Sequence, residues 1–204
     1  MKRTTTATGL LTFVVMIVVG AFSAGSASAV PQFLWTGPLP ALVLVLNDNT
    51  QLFEFEPGGT GIECEHFKGH AIASNGKAMT TKEITVTGLY TKCFFGEIFP
   101  MTVTPAEFLL NADGSVSVVG KPIVLTIPEL GCSIKINSGP PNNNLRLILY
   151  LNLAQDVLAH VEIEKIASLG SGGLCGDASV EKTELHYTGL WLISVHGGTI
   201  RWEK

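Results

Sequence analysis

The sequence predicts an all-β protein, an antiparallel β-sandwich in a single domain with two disulfides. Short runs rich in valine, threonine, leucine and isoleucine recur along the chain, and alternate residues in many of them are apolar, which is the period of a strand. The 22 glycines and 10 prolines are enough to make many turns between short strands. All four cysteines follow residue 29, and an even count is typical of disulfides in exported proteins.

Residues 1–29 are predicted to be a signal peptide. A basic start at residues 2–3 precedes the apolar run Leu10–Val19, and small residues then lead to Ala27-Ser28-Ala29, the pattern that signal peptidase cuts. A membrane anchor is the alternative, but the apolar run is shorter than the roughly 20 residues of a spanning helix. We expect cleavage near Ala29 and a secreted or cell-envelope domain over residues 30–204, with no transmembrane segment in the mature chain.

The charge of the mature chain limits its partners. The full chain has 13 basic and 17 acidic residues and a net charge of −4, and removing the two basic residues of the signal peptide gives −6. A mildly acidic chain without a basic cluster argues against binding to nucleic acid or anionic lipid. We expect an extracellular or cell-envelope ligand of unknown identity and no nucleic-acid partner.

The four cysteines are Cys64, Cys93, Cys132 and Cys175. Four cysteines allow three connectivities, and spacing alone does not choose among them. We favour Cys64–Cys93 and Cys132–Cys175, because pairs that are nearest in the chain fit consecutive strand pairs of an antiparallel sheet. A zinc site is the weaker alternative, since the spacings are long and the chain has no C-x2-C pair.

The first half of the mature chain contains four predicted strands, which are Leu42–Leu46, Gln51–Glu56, Ile62–His66 and Glu83–Tyr90. The first strand is continuously apolar, which indicates a buried strand. The second strand alternates and places Phe53 and Phe55 on one face. The third strand contains Cys64, and the fourth strand leads to Cys93.

Eight strands are predicted in the second half, and they are Phe108–Leu110, Val116–Val118, Ile123–Ile127, Cys132–Ile136, Leu145–Leu153, Val157–Ile166, Leu185–Trp191 and Thr199–Trp202. The first two form a hairpin across Asn111–Gly114, and Gly197-Gly198 is a two-residue hairpin signal between the last two. The composition of Val157–Ile166 would also suit a helix, but its alternation favours a strand. We predict an exposed loop at Gly139–Asn144 and a flexible loop at Leu169–Gly173.

These features together resemble a family of small exported bacterial all-β proteins with paired cysteines, in which no activity is characterised. The matching motifs are Phe53-x-Phe55, Gly61–Cys64, Thr85–Cys93, Gly131–Ile136, Cys175 and Tyr187-Thr188-Gly189. The resemblance implies a β-rich, disulfide-bonded fold and the cysteine pairing favoured above, and it implies no activity. Members of the family often have another cysteine pair between the second and third cysteines, where this chain has Pro105–Phe108 and the Pro122 region.

Four side chains around the first cysteine could bind a metal, namely Glu63, Glu65, His66 and His70. In a helix the two histidines would share a face and could share an ion. In an extended segment they would be too far apart for one ion, and Gly69 argues against a helix. Solvated side chains beside a disulfide are the favoured interpretation, and metal binding by these four residues stays open.

No catalytic or cofactor-binding residue can be assigned from a motif. The mature chain has no Gly-x-Ser-x-Gly elbow, and Ser171 lies in a predicted loop. Glu162 and Glu164 would lie on the same strand face about 6.5–7 Å apart at the backbone, which is compatible with a glycosidase pair but also with a solvated sheet face. A serine–histidine–aspartate set could also assemble in space from the strand histidines, which are His160, His186 and His196.

Four aromatic side chains, namely Trp35, Tyr187, Trp191 and Trp202, would form a ligand platform if they were exposed. Aromatic residues on alternating strands are more typical of a core. The first functional hypothesis is therefore a non-enzymatic extracellular or cell-surface binding or structural module that acts through its loops. The alternative is a secreted hydrolase with a site that the sequence does not reveal, and a pocket beside Glu63–His70 or Glu162–Glu164 would favour it.

Overall fold

The computed structural model describes residues 30–37, 41–46, 50–55, 61–73, 79–96, 98–140, 142–143, 145–146, 148–175 and 181–204. Residues 31–203 form one compact unit. The predicted signal peptide, residues 1–29, lies outside the described residues.

The described residues form sixteen strands and two single-turn 3₁₀ helices, at Pro128–Leu130 and Gly173–Cys175. The strands are β1 (Gln32–Thr36), β2 (Ala41–Leu46), β3 (Gln51–Glu54), β4 (Gly61–Ala73), β5 (Met79–Thr81), β6 (Glu83–Phe95), β7 (Phe99–Val103), β8 (Ala106–Asn111), β9 (Ser115–Val119), β10 (Ile123–Ile127), β11 (Cys132–Ile136), β12 (Leu145–Arg146), β13 (Ile148–Leu153), β14 (Asp156–Ser171), β15 (Glu181–Val195) and β16 (Thr199–Glu203). The predicted all-β class is confirmed, and Val157–Ile166 is a strand within β14.

The strands build two antiparallel sheets that pack together, as the sequence predicts. The large sheet has thirteen strands, and its pairing runs β4–β6–β7–β10–β11–β14–β15. Strands β2 and β3 lie end to end between β15 and β4 and pair with both, so the order returns to its start. A sheet that closes on itself leaves few unpaired edges.

A second branch of the large sheet continues from β6 through β8 and β9 to β12. The β8–β9 hairpin is confirmed, and Gly114 in its turn has a φ of +88°, which a glycine adopts without strain. The long strands β4, β6, β14 and β15 run the length of the sheet, and each alternates buried and exposed residues along most of that length.

The small sheet has the strand order β16–β1–β5. Its buried side chains include Phe33, Trp35 and Ile200, and the Phe33 ring meets Tyr150 of β13 edge-on at 5.1 Å between ring centroids. These contacts place the small sheet at the end of the long strands where β14 begins and β15 ends.

The predicted hairpin across Gly197-Gly198 is wrong, because β16 pairs with β1 of the small sheet. Glycine at position 198 allows the backbone there to lie close to the backbone of β1. A Cβ atom on Gly198 would collide with the carbonyl oxygen of Thr36 in β1. The Gly-Gly signal therefore marks a crossing between the two sheets.

The leucine alternation in Leu145–Leu153 correctly predicts strand structure, but the leucines of β13 face outwards. Ile148 and Tyr150 are buried, whereas Leu149, Leu151 and Leu153 are 61%, 57% and 45% exposed. The apolar run of β2 is likewise buried on one face only, through Val43 and Val45.

Candidate functional site

A cavity lies at the end of the long strands opposite to the small sheet. It has a volume of about 320 Å³ and is open to solvent. Its lining comes from six elements and from Phe55, which follows β3, and it consists of Phe55, Phe95, Ile127, Leu130, Cys132, Ile134, Ser168, Gly170 and Cys175. We call this cavity the apolar pocket.

The lining of the apolar pocket is almost entirely hydrocarbon and sulfur. Ile127, Cys132 and Ile134 are buried side chains of the core. Phe55 is 38% exposed and meets Phe95 edge-on at 6.3 Å between ring centroids. Ser168 provides the one side-chain hydroxyl among the lining residues, and no lining residue carries an ionisable group, because the two cysteines are joined in a disulfide.

The wall of the apolar pocket depends on a close approach between β14 and the helix at Gly173–Cys175. A Cβ atom on Gly170 would collide with the carbonyl oxygen of Cys175. Glycine at this position therefore lets Cys175 reach Cys132 at the start of β11, with 5.3 Å between their Cα atoms. Gly131, at a φ of +56°, ends the preceding helix next to Leu130.

Both predicted disulfides are present, and the protein has no free cysteine. Cys64 and Cys93 lie directly opposite each other on β4 and β6, with 4.0 Å between their Cα atoms. Cys132–Cys175 links β11 to the helix after β14. The four thiols are therefore used in the fold.

The candidate metal ligands lie along an extended strand. Glu63, Glu65, His66 and His70 all belong to β4, in which residues four apart are separated by about 13 Å. Lys92 donates a hydrogen bond to Glu65 at 2.6 Å, and this bond lowers the pKa of the Glu65 carboxyl. Within the described part of the chain, no three histidine, cysteine, aspartate or glutamate side chains are grouped closely enough for one ion.

Glu162 and Glu164 do lie on one face of β14, and both are exposed. They line a depression of about 140 Å³ together with Glu54 and His186 from β3 and β15. The strand has a bulge beside them, because the β14–β15 register shifts after Ile163 and Lys165 has a φ of +60°. The depression therefore gathers carboxylates and an imidazole in a solvated setting.

The other candidate nucleophile and bases are dispersed. Ser171 lies at the end of β14, and its hydroxyl is 3.5 Å from the carbonyl oxygen of Ser133 in β11. His160 is exposed on β14, and His196 is exposed in the turn after β15. Ser171, His160 and His196 are therefore not grouped at one site.

Three of the four aromatic residues considered as a platform are core residues. Trp35, Tyr187 and Trp191 are buried, and only Trp202 is partly exposed. The Trp191 indole donates hydrogen bonds to Gln51 at 2.8 Å and to Tyr187 at 2.9 Å, and the Tyr187 hydroxyl donates to Gln51. Burial raises the pKa of Tyr187, so this phenol stays protonated within the core.

The two predicted loops are structural. Leu169–Ser171 belongs to β14 and pairs with Ser133–Lys135 of β11, so the prediction of a flexible loop at Leu169–Gly173 is wrong for most of its length. In the Gly139–Asn144 segment, Asn142 is completely buried. Its amide donates to Asn137 and Ala167 and its oxygen accepts from the Ala167 amide, so this loop is not simply exposed.

Sequence reasoning missed the apolar pocket because its lining residues are distant in the chain. A partial signal was available in Phe55, an aromatic residue just before the Pro57-Gly58-Gly59 break. The described residues contain no helix that is both long and apolar enough to span a membrane. Comparison of the chain with protein-family models, curated proteins and solved structures finds no match to any of them.

Proposed function

We propose that the protein is an exported, non-enzymatic binding protein that holds a small apolar ligand in the apolar pocket. One observation carries this proposal, namely an open cavity of about 320 Å³ with an apolar lining. Ligand sites in proteins are typically concave, mostly apolar and of about 300–1,000 Å³. We also propose that residues 1–29 are a signal peptide and that the protein is extracellular or lies in the cell envelope. The two disulfides are compatible with this location.

The size of the apolar pocket indicates the class of ligand. An apolar protein cavity of about 150 Å³ binds benzene, so a cavity of about 320 Å³ suits an uncharged molecule of roughly twice that size. A two-ring aromatic compound or a medium-length alkyl chain fits this description.

Calorimetric titration of the disulfide-bonded protein with naphthalene and with octanol tests this function. We expect saturable binding and perturbed methyl NMR signals of Ile127 and Ile134. Leu130→Trp places a larger side chain at the pocket and should weaken binding at least about tenfold, which corresponds to 1.4 kcal/mol. Leu89→Trp, on an exposed position of β6 outside the pocket, is the matched control and should bind like the unmodified protein.

Two results would contradict the proposal. One is the absence of saturable binding of either probe up to its solubility limit. The other is equal weakening by Leu130→Trp and by Leu89→Trp, because the probe would then bind elsewhere. The predicted export has a separate test. The intact mass of the secreted protein should equal that of a chain that begins at Val30.

A secreted hydrolase remains the alternative, and the depression at Glu54, Glu162, Glu164 and His186 favours it. Its carboxylates face solvent. Because the site does not exclude bulk water, the electrostatic interactions of these carboxylates with a reacting group are weakened. Glu162→Gln and Glu164→Gln distinguish the two proposals. Loss of a hydrolytic activity towards polysaccharide in both variants, with naphthalene binding absent from the unmodified protein, would favour the hydrolase.

A further inference from the structure

A continuous apolar surface lies on the outside of four neighbouring strands, β13, β14, β15 and β2. It consists of nine leucines, all exposed or partly exposed, which are Leu42, Leu44, Leu46, Leu149, Leu151, Leu153, Leu158, Leu190 and Leu192. We call this surface the leucine face. It is separate from the apolar pocket, with which it shares no residue.

The strand register brings the leucines into rows across the sheet. In the central row Leu151 lies opposite Leu158, Leu158 opposite Leu192, and Leu192 opposite Leu46. Residues opposite each other on antiparallel strands have their side chains on the same face. The central row is therefore leucine on all four strands, and it ends at Lys68, which lies opposite Leu46 on β4.

The apolar area of the leucine face is much larger than that of a single exposed leucine. Eight of the nine leucines lie in three rows about 6.8 Å apart across four strands about 4.8 Å apart. These rows cover a footprint on the order of 400 Å² that also includes Asp156, His160 and Ser194. Apolar patches of about 300–600 Å² are the largest on typical monomers and are often functional. A standard interface buries about 800 Å² on each partner, so this surface alone supports a weak and reversible complex.

Two polar side chains are placed symmetrically about the central row. Asp156 and His160 lie two residues before and two residues after Leu158 on β14, on the same face of the strand. Leu153 is the cross-strand neighbour of Asp156, and Leu149 is that of His160. An acid and an imidazole thus flank the leucine row at equal distances.

This symmetry makes the face complementary to itself. A twofold axis along the central row stacks the sheets of two copies, with leucine row on leucine row. The same rotation exchanges the positions before and after Leu158, so His160 of each copy faces Asp156 of the other. An imidazole N–H can then donate to a carboxylate at two equivalent places, as a closed twofold interface requires.

We infer that the leucine face is the interface of a weak homodimer in which two copies stack face to face, with His160 of each copy opposite Asp156 of the other. A membrane is the less suitable occupant, because Lys68 is the single basic residue bordering the central row and the mature chain has a net negative charge, whereas anionic lipid attracts basic clusters.

Sedimentation velocity of the mature, disulfide-bonded protein over a concentration series from about 10 µM to about 1 mM tests the dimer, since a weak interface has a Kd in this range. We expect the weight-average sedimentation coefficient to rise with concentration. Leu151→Asp should weaken dimerisation at least about tenfold, because it buries a carboxylate among leucines. Ile98→Asp, at a position 73% exposed outside the leucine face, is the matched control and should dimerise normally.

A charge exchange tests the predicted pairing. Asp156→Arg puts a cation opposite His160 of the other copy and should weaken the dimer severalfold. Adding His160→Asp to this variant restores an acid opposite a base and should return the dissociation constant to about its original value. Both positions are on the surface, so circular dichroism should show the same thermal unfolding for all variants.

Three outcomes would overturn the inference. The first is a monomer at every concentration, and the second is equal weakening by Leu151→Asp and Ile98→Asp. The third is failure of the exchanged pair to restore dimerisation. A monomeric protein that binds uncharged phosphatidylcholine vesicles, and loses this binding in Leu151→Asp, would identify the leucine face as a lipid-binding surface instead.

Discussion

Asn142 shows how one polar side chain can attach a loop to the sheet. It lies in a run of prolines and asparagines, and it is completely buried. Its side chain makes three hydrogen bonds, two of them to the backbone of Ala167 at the irregular part of β14. The loop backbone also pairs with Val118 of β9 through Gly139 and Asn142. One asparagine therefore connects the loop to two strands.

Asn142→Ala should lower the free energy of unfolding by about 2–4 kcal/mol, because it removes these bonds and leaves buried backbone groups without partners. Asn143→Ala is the matched control, since Asn143 is exposed, and it should change stability by less than about 0.5 kcal/mol. Urea unfolding followed by circular dichroism measures both values. Equal effects of the two substitutions would show that Asn142 is not the anchor of the loop.

Gln51 is a second buried polar side chain that connects separate strands through hydrogen bonds, in this case within the core. It is the first residue of β3, fully buried, and its amide oxygen accepts hydrogen bonds from Tyr187 and Trp191. A Cβ atom on Gly189 would collide with this amide oxygen. The Tyr187-Thr188-Gly189 motif of the sequence is thus explained by the packing of Gln51 against β15.

At the scale of the elements, the pairing of β4 with β6 depends on two opposed glycines. Gly69 lies directly opposite Gly88, and the Phe67 ring packs over both of them. A Cβ atom on Gly69 would be 2.6 Å from Cγ1 of Val86, and one on Gly88 would collide with the Phe67 ring. The space left by two missing side chains is filled by one aromatic ring.

Gly88→Ala should therefore destabilise the protein by about 1–3 kcal/mol through overpacking. Phe67→Leu removes the ring that the new methyl group meets, so the double variant should cost less than the sum of the two single variants by at least about 0.5 kcal/mol. Urea unfolding of the four proteins gives this coupling energy. Additive effects would mean that the ring does not determine the need for glycine at position 88.

The element predictions show where sequence periodicity is informative. Alternation correctly identified β3, β6 and β14, because a strand with one buried face needs an apolar residue at every second position. At Leu169–Ser171 the glycine and serine content wrongly suggested a loop. Pairing with β11 overrides that local preference, and Gly170 is required there by the approach of Cys175.

At the scale of the whole molecule, all three tyrosines of the chain belong to the core. Tyr90, Tyr150 and Tyr187 are each buried, and burial raises the pKa of each phenol above its ordinary value of about 10. The native state therefore keeps protons that the unfolded state loses above about pH 10. Stability is unaffected by these groups below that pH and decreases as the pH rises above it.

An alkaline titration should accordingly show no stepwise ionisation of tyrosine in the native protein. We expect tyrosinate absorbance and the loss of far-ultraviolet circular dichroism to appear together, in one steep transition above about pH 10. Tyr150→Phe should reduce the absorbance change by about a third while leaving the transition cooperative. Gradual appearance of tyrosinate in a protein with unchanged circular dichroism would contradict the buried state of these residues.

The sequence by itself determined the all-β class and the positions of most strands. These properties follow from local information, namely an apolar period of two and turn residues between strands. The sequence left three cysteine connectivities open, and the favoured one is present in the structure. Cys64 and Cys93 are opposite each other because the two strands that contain them are adjacent.

The tertiary structure alone decided which face of each strand is covered and what the covered faces enclose. A period of two gives a strand two faces without saying which one meets the core, so the leucines of β13 face outwards although Ile148 and Tyr150 face inwards. The apolar pocket and the leucine face both combine residues that are far apart in the chain. Only strand pairing and packing bring such residues together, because sequence distance does not determine which strands are neighbours in space.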